Sequence, residues 1–261
     1  MTERVEMSLT QRLKGAVGLG RSLFIYWRPG RQTSLQRLYR PFIVPGDIAF
    51  DVGAHLGDRS AAFRSLGAQV VALEPQPELA RWLARLLGSR SITLLEMAAG
   101  AEAGHADIAL SATHPTLATL ASEWREQIGQ RNPDFRQVRW EQRLRVPVTT
   151  LDALIGEHGQ PAFIKIDVEG FEAEVLKGLS HAVPALSFEV VAGALSVGNA
   201  CISRLEQLGD YRYNAVSGEQ RRFLWPHWQP AHRMQQWLES GADALASGDI
   251  YACRSDHSLF N

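Results

Sequence analysis

The sequence predicts an α/β protein with a mostly parallel sheet covered by helices on both faces. Three observations carry that expectation. Short apolar runs alternate with amphipathic segments from residue 48 onward. Several of those runs stop at a glycine or a carboxylate, as strands do where they hand over to a helix. Hydrophobic residues make up 45% of the 261-residue chain against 21% charged, enough to bury both sides of a sheet. The formal net charge of −1 supplies no field that would gather nucleic acid, so no nucleic-acid partner is expected.

Residues 8–24 read as a helix, with Ser8 as N-cap and Leu9, Leu13, Ala16 and Val17 at helical spacing. The apolar stretch 16–27 is interrupted by Arg21 and is too short to span a bilayer. The opening MTERVEMSLTQR has no secretory core, so the expectation is a cytoplasmic protein without a transmembrane segment. Residues 28–47 carry Pro, Gly and Arg and read as a connector ending in the turn Pro45-Gly46-Asp47. The expected division is an N-terminal helical extension over 1–45 and a main domain over 46–261.

In the main domain, IAFDVG (48–53) is the first strand. Residues 58–67 form a helix between Asp58 as N-cap and Gly67 as stop. QVVALEP (69–75) is the second strand, and 77–88 a helix opened by Pro77 and closed by Gly88. ITLLEMAA (92–99) is the third strand. Residues 100–145 break the rhythm, with a short strand near 106–110 and a polar excursion holding Trp124 and Trp140. Within this stretch, 111–145 is an expected insertion bordering the acceptor site. The rhythm resumes with VPVTT (146–150), a helix at 151–157, the strand AFIKIDVEG (162–170) and a helix at 171–179. Then come the strand ALSFEVV (185–191), a helix near 199–208, and late strands at 211–216 and 249–254 separated by a Trp-rich loop. Two cysteines, Cys201 and Cys253, cannot build a disulfide framework or a four-thiolate zinc site.

Parallel sheets of this kind bind ligands beyond the carboxyl ends of their strands, so chemistry is sought there. Asp51-Val52-Gly53-Ala54-His55-Leu56-Gly57-Asp58 sits at the first strand-to-helix turn. Its D-x-G-x-x-x-G spacing is neither a dinucleotide fingerprint nor a Walker loop. Gly53 would let the backbone approach a ligand closely, and Gly57 opens the helix. Glu74, followed by Pro75, ends the second strand near the ~20-residue offset at which an acidic side chain accepts hydrogen bonds from ribose hydroxyls. Further on, Lys165 lies inside an apolar strand, with Asp167 and Glu169 at its end. A buried lysine needs a partner, and Asp51 and Glu189 are the candidates.

These segments resemble a known family. FDVGAHLGDRS, VVALEPQP, VPVTTLDALI, FIKIDVEGFEAEVLKGL and LSFEV look like the successive signatures of FkbM-type S-adenosylmethionine (SAM)-dependent methyltransferases, and GDIYA matches their last strand. The resemblance runs continuously over about residues 41–191. At His55 this chain departs from the asparagine common in the family. The resemblance implies a class I SAM-methyltransferase, Rossmann-like fold, with seven strands ordered 3-2-1-4-5-7-6 and the last antiparallel. It implies SAM as cofactor, with Asp51, Gly53, Ala54 and Gly57, and beside them His55 and Asp58, lining its methionine end. Glu74 and Pro75 would meet the ribose, and Met97, Ala98 and Ala99 the adenine. It also implies O-methylation of a sugar, a glycan or a hydroxylated small molecule.

An alcohol has a pKa far above neutral, so transfer to it calls for a base near the cofactor. Asp167 is the first candidate, Glu169 the second and Glu189 the third, with His55 also at the crevice; Asp167 is equally placed to hold the cofactor's amino group. A metal is the alternative way to activate the acceptor, and Asp167, Glu169, Glu189 and His55 could assemble a hard-cation site, but no metal is expected because no close-spaced ligand pair of a known metal motif occurs. The competing readings are a NAD-dependent oxidoreductase on a related sheet and a non-catalytic SAM-binding module.

Overall fold

The computed structural model describes residues 30–88, 90–111, 118–121, 128 and 140–260. The expected helix at 8–24 and Trp124 lie outside the described residues. Where the sequence suggests a connector, the chain forms a helix, α1 (Arg31–Tyr39). The reason is tertiary: Leu35, Leu38 and Tyr39 recur on one face and are buried against the main sheet, together with Phe42 and Ile43 just beyond. The expected turn follows. Asp47 N–H donates to the Val44 carbonyl, and Gly46 takes φ 96°, which a type II turn requires after proline.

Strand β1 (Ile48–Val52) leads to α2 (Asp58–Ser65). Gly57, at φ 74°, is the N-cap of this helix, and Asp58 enters its first turn. The expected Asp58 cap does not form because its carboxylate is drawn to Arg31 Nε at 3.1 Å and Arg59 at 2.9 Å. Next come β2 (Gln69–Leu73) and α3 (Pro77–Leu87), which begins at proline and ends at Gly88 as expected.

The expected strand at 92–99 divides. β3 (Ile92–Leu95) pairs with β2, while β4 (Ala98–Ala99) turns away to a second sheet. That sheet holds β4, β5 (Gly104–Ser111), β6 (Ala118–Thr119) and β7 (Trp140–Thr149), in the order β4-β7-β5-β6. VPVTT is therefore the end of a ten-residue strand that begins at Trp140, inside the stretch expected to be an excursion. Long-range antiparallel pairing with β5 over Gly104–Ser111 holds it. Ala98, Ile108 and Val146 form the small core beneath.

After α4 (Leu151–His158), whose first turn is capped by Thr150, strand β8 (Phe163–Ile166) is shorter than the expected 162–170. It stops because Glu169 and Gly170 both adopt positive φ, which bends the chain into α5 (Glu172–Lys177). Then follow β9 (Ala185–Val191), α6 (Leu195–Leu208, four residues longer at its start than expected) and β10 (Tyr211–Ser217). The expected Trp-rich loop contains β11 (Gln229–Pro230) and a nine-residue helix, α7 (Ala231–Glu239), before β12 (Ser247–Arg254).

The main sheet runs β3-β2-β1-β8-β9-β12-β10-β11. β12 is antiparallel to both neighbours. Numbered by chain order, its seven principal strands give 3-2-1-4-5-7-6, the order and the antiparallel last strand of a class I methyltransferase; β11 is a two-residue addition at the edge. Side chains alternate between two cores. Phe50, Val52, Ile164, Ile166 and Phe188 pack with α4–α7, and Ala49, Val70, Ala72, Phe163 and Tyr251 pack with α1–α3. The connections reverse between β1 and β8, which opens the crevice that positions the site.

Candidate active site

A cavity opens at the carboxyl ends of β1, β2, β8 and β9. Asp51, Gly53, Ala54, His55 and Asp58 line it from the first loop, Glu74 and Pro75 from the end of β2, and Met97, Ala98 and Ala99 from the β3–β4 bend. Asp167, Glu169 and Glu189 complete it from β8 and β9. Of the expected residues only Gly57 is not in its wall. A Cβ there would stand 2.7 Å from Leu87 Cδ1, so this glycine serves the packing of α2 on α3. Gly53 also has a packing role beside the one expected from the sequence. At φ 83°, its missing Cβ leaves room for the Asp167 carbonyl, which a side chain would meet at 1.9 Å. The glycine lets the β1 loop close on the end of β8.

The first loop is tied to β2. Gly53 N–H and Ala54 N–H donate to the Leu73 carbonyl at 3.0 and 2.8 Å. His55, held at φ 51°, donates its backbone N–H to Glu74 Oε2 at 2.9 Å. Gln76 N–H donates to the other oxygen, Oε1, at 2.9 Å. Glu74 is thus aimed by two backbone donors, and burial pushes its pKa up to about 7 against their pull. Burial lowers the His55 imidazole to about 4, so it is neutral at physiological pH.

Lys165 is buried, and the structure corrects its expected partners. Nζ lies 2.8 Å from Asp249 Oδ1 on β12 and 3.3 Å from Asp167 Oδ2. Asp51 is directly opposite Lys165 in the β1–β8 register but instead accepts the Ser60 hydroxyl at 2.5 Å. Neither it nor Glu189 makes the ion pair.

One oxygen each from Asp167, Glu169 and Glu189 lies within 4.8 Å of the other two. Their environments separate them. Burial raises Asp167, but Lys165 and Arg59 outweigh it, and its pKa is lowered overall. For Glu169 the balance is the reverse: burial, then Asp167 and Glu172, outweigh the opposing pull of Lys165 and raise it to about 8. Glu189 is raised as well, by burial and by Asp167 and Glu169. Two carboxyls with upward-shifted pKa values beside one ionised carboxylate can divide the work of holding and moving a proton.

Sequence reading missed Asp249, Thr119 and Leu120, all of which line the cavity. Asp249 had a signal: an acid in the last apolar strand is as anomalous as a lysine in the fourth. Thr119 and Leu120 had none, because β6 is two residues long and set by pairing with β5. They are the two described residues of 111–145 that reach the cavity. Trp225 packs edge-to-face on Trp237, and Trp228 on Phe260. Neither lines the cavity.

Comparison with known proteins gives the family. Residues 51–241 match the methyltransferase FkbM domain. A curated relative, the hexuronic acid methyltransferase AglP of Haloferax volcanii, is 28% identical over 147 residues, which cover 56% of this chain and 55% of AglP. The chain thus spans about half the length of that relative. Among solved structures, a TehB-like SAM-dependent methyltransferase from Corynebacterium glutamicum aligns over 94% of this chain and 100% of its own, at 10% identity and TM-score 0.48. The precorrin-6y C5,15-methyltransferase of Geobacter metallireducens aligns over 86% of each chain at 13% identity and TM-score 0.45. With the domain match covering most of the chain, and the 3-2-1-4-5-7-6 sheet beneath it, the chain belongs to the FkbM family of SAM-dependent methyltransferases.

Proposed function

We propose that this methyltransferase acts on oxygen, methylating a hydroxyl of a sugar, a glycan or a hydroxylated small molecule, with Glu169 as the base. The observation that carries this reading is the meeting of Asp167, Glu169 and Glu189 at the ends of β8 and β9, across from the β1 and β2 loops. AglP, named for methylating a hexuronic acid, supports a sugar as the acceptor class.

The cavity fits the cofactor. Glu74 keeps free lone pairs on both oxygens after its two backbone bonds, which suits a pair of ribose hydroxyls. When bound, SAM supplies an electrophilic methyl on a sulfonium, whose charge suits a carboxylate-lined wall. Asp167, kept ionised by Lys165, is the proposed partner of the cofactor's ammonium group. Glu169, with a pKa near the working range, takes the hydroxyl proton of the acceptor. This ranks Glu169 above Asp167 as base, because an ion-paired carboxylate of low pKa is a poor proton acceptor. Met97, Ile108 and Leu120 line the cavity with apolar surface and limit the water beside the acceptor oxygen.

The test is a screen with methyl-labelled SAM against hexuronates, neutral sugars and nucleotide sugars, with the product mapped by NMR. A new methyl ether is the expected product. Labelling only of nitrogen or carbon acceptors would overturn the reading.

A further inference from the structure

The motif around Glu169 contains a second acid, Glu172, which the proposed chemistry does not use. Glu169 is a non-glycine residue in the left-handed region, at φ 54°, and such a conformation persists only where its surroundings over-determine it. Two buried side chains do so from opposite sides. Glu172 Oε1 accepts Val168 N–H at 3.1 Å and Gly170 N–H at 3.2 Å, the amides flanking Glu169. Thr119, on β6 of the small sheet, donates its hydroxyl to the Glu169 carbonyl at 2.7 Å. Its proton is committed to that bond, because Ala121 N–H fills the hydroxyl's acceptor side at 2.9 Å.

We propose that Thr119 and Glu172 are positioning residues that clamp the backbone of Glu169 and so hold its carboxyl beside Asp167 and Glu189. This deepens the reading of Glu169 as base and rests on it. Three bonds fix all the polar backbone groups from Val168 N–H to Gly170 N–H except Val168 carbonyl and Glu169 N–H, so the loop has little freedom to relax to negative φ. If it relaxed, the Glu169 side chain would leave its two acidic neighbours. Thr119 and Leu120 also line the cavity, so the segment that borders it at β6 also sets the base. The small sheet is then part of the catalytic apparatus rather than a specificity wall alone.

The experiment compares Thr119→Val, which keeps the shape and loses the hydroxyl, with Thr119→Ser, which restores it. Thr119→Ala is carried alongside in case valine prevents folding. The first readout needs no acceptor: the Glu169 carboxyl titration, followed by NMR on glutamate-labelled protein and assigned with Glu169→Gln. Its midpoint is expected to fall by about one pH unit in the valine and alanine variants, toward the ordinary carboxylate range, and to return in the serine variant. The second readout is turnover, expected to fall about tenfold or more with SAM affinity within twofold, and to recover with serine. An unchanged midpoint in both hydroxyl-less variants, or no recovery with serine, would overturn the clamp. Normal turnover of Glu169→Gln would instead remove the base assignment, which the titration keeps separate from the clamp.

Discussion

At the scale of single residues, three carboxylates of similar chemistry acquire different tasks from their neighbours. Lys165 keeps Asp167 ionised, while burial leaves Glu169 and Glu189 reluctant to ionise. Glu169→Gln is expected to lower kcat by ~10²–10⁴-fold with SAM affinity nearly unchanged, the usual scale for losing a general base. The pH profile follows from the raised pKa. Glu169 must be deprotonated to act, so turnover rises as pH rises through its pKa, and the cofactor's positive charge moves that limb below the apo value of about 8. A profile flat from pH 6 to 9 would count against it. Glu74→Ala is expected to weaken SAM binding by roughly 1–3 kcal/mol, measurable by calorimetry, because charged hydrogen bonds to the ribose are lost. These acids stood out in the sequence because each lies in or just after an apolar run. Their ranking was not legible there, because Lys165's true partner, Asp249, is 84 positions away.

At the scale of elements, the junction between β1 and β8 carries the site. Gly53 admits the Asp167 carbonyl where any side chain would collide with it. Gly53→Ala is expected to destabilise the protein by about 2 kcal/mol or more, through overpacking and a strained positive φ, and to weaken SAM binding as the loop is displaced. Gly241→Ala is the control: it also has positive φ, in the left-handed region, but meets nothing within 4 Å, so denaturant titration should give a smaller loss and SAM affinity should hold. Equal losses at both positions would remove the close-packing argument. The strands of the main sheet were readable because they are short, apolar and bounded by turn residues. α1, α7, β6, β11 and the first half of β7 were not, nor was the pairing that makes β4, β5 and β7 a separate sheet, although strands near 106–110 and at 146–150 were expected. α1 has few apolar positions and is held by the aromatic cluster of Tyr39, Phe42, Phe63 and Phe163, and β5 and β7 find each other across a long intervening segment.

At the scale of the whole molecule, the buried acids tie stability to pH. Glu74 and Glu172 are raised to about 7 and Glu169 to about 8, chiefly by burial. A carboxyl with a folded pKa above its unfolded value near 4 contributes stability that is present at low pH and is lost as pH rises through the folded pKa. His55, lowered to about 4, acts oppositely, but its contribution is complete by about pH 6.5. Asp167 and Glu219, both lowered, matter only in acid. The protein without cofactor is therefore expected to lose thermal stability progressively from about pH 4.5 to 8, His55 offsetting part of the fall below about pH 6.5, and SAM to raise Tm more at pH 8 than at pH 6.5. A Tm that climbs through this window without cofactor would contradict the burial of these acids. The sequence by itself determined the alternation of strands and helices, the glycine loop after β1, the acidic strand ends and the family, because these depend on local spacing and on side chains at fixed positions along one segment. Tertiary structure alone decided the lysine's partner, the second sheet, the packing role of Gly53 and the clamp on Glu169. Each of those depends on contacts between residues far apart in the chain, whose energies arise only when the two segments are brought together and removed from water.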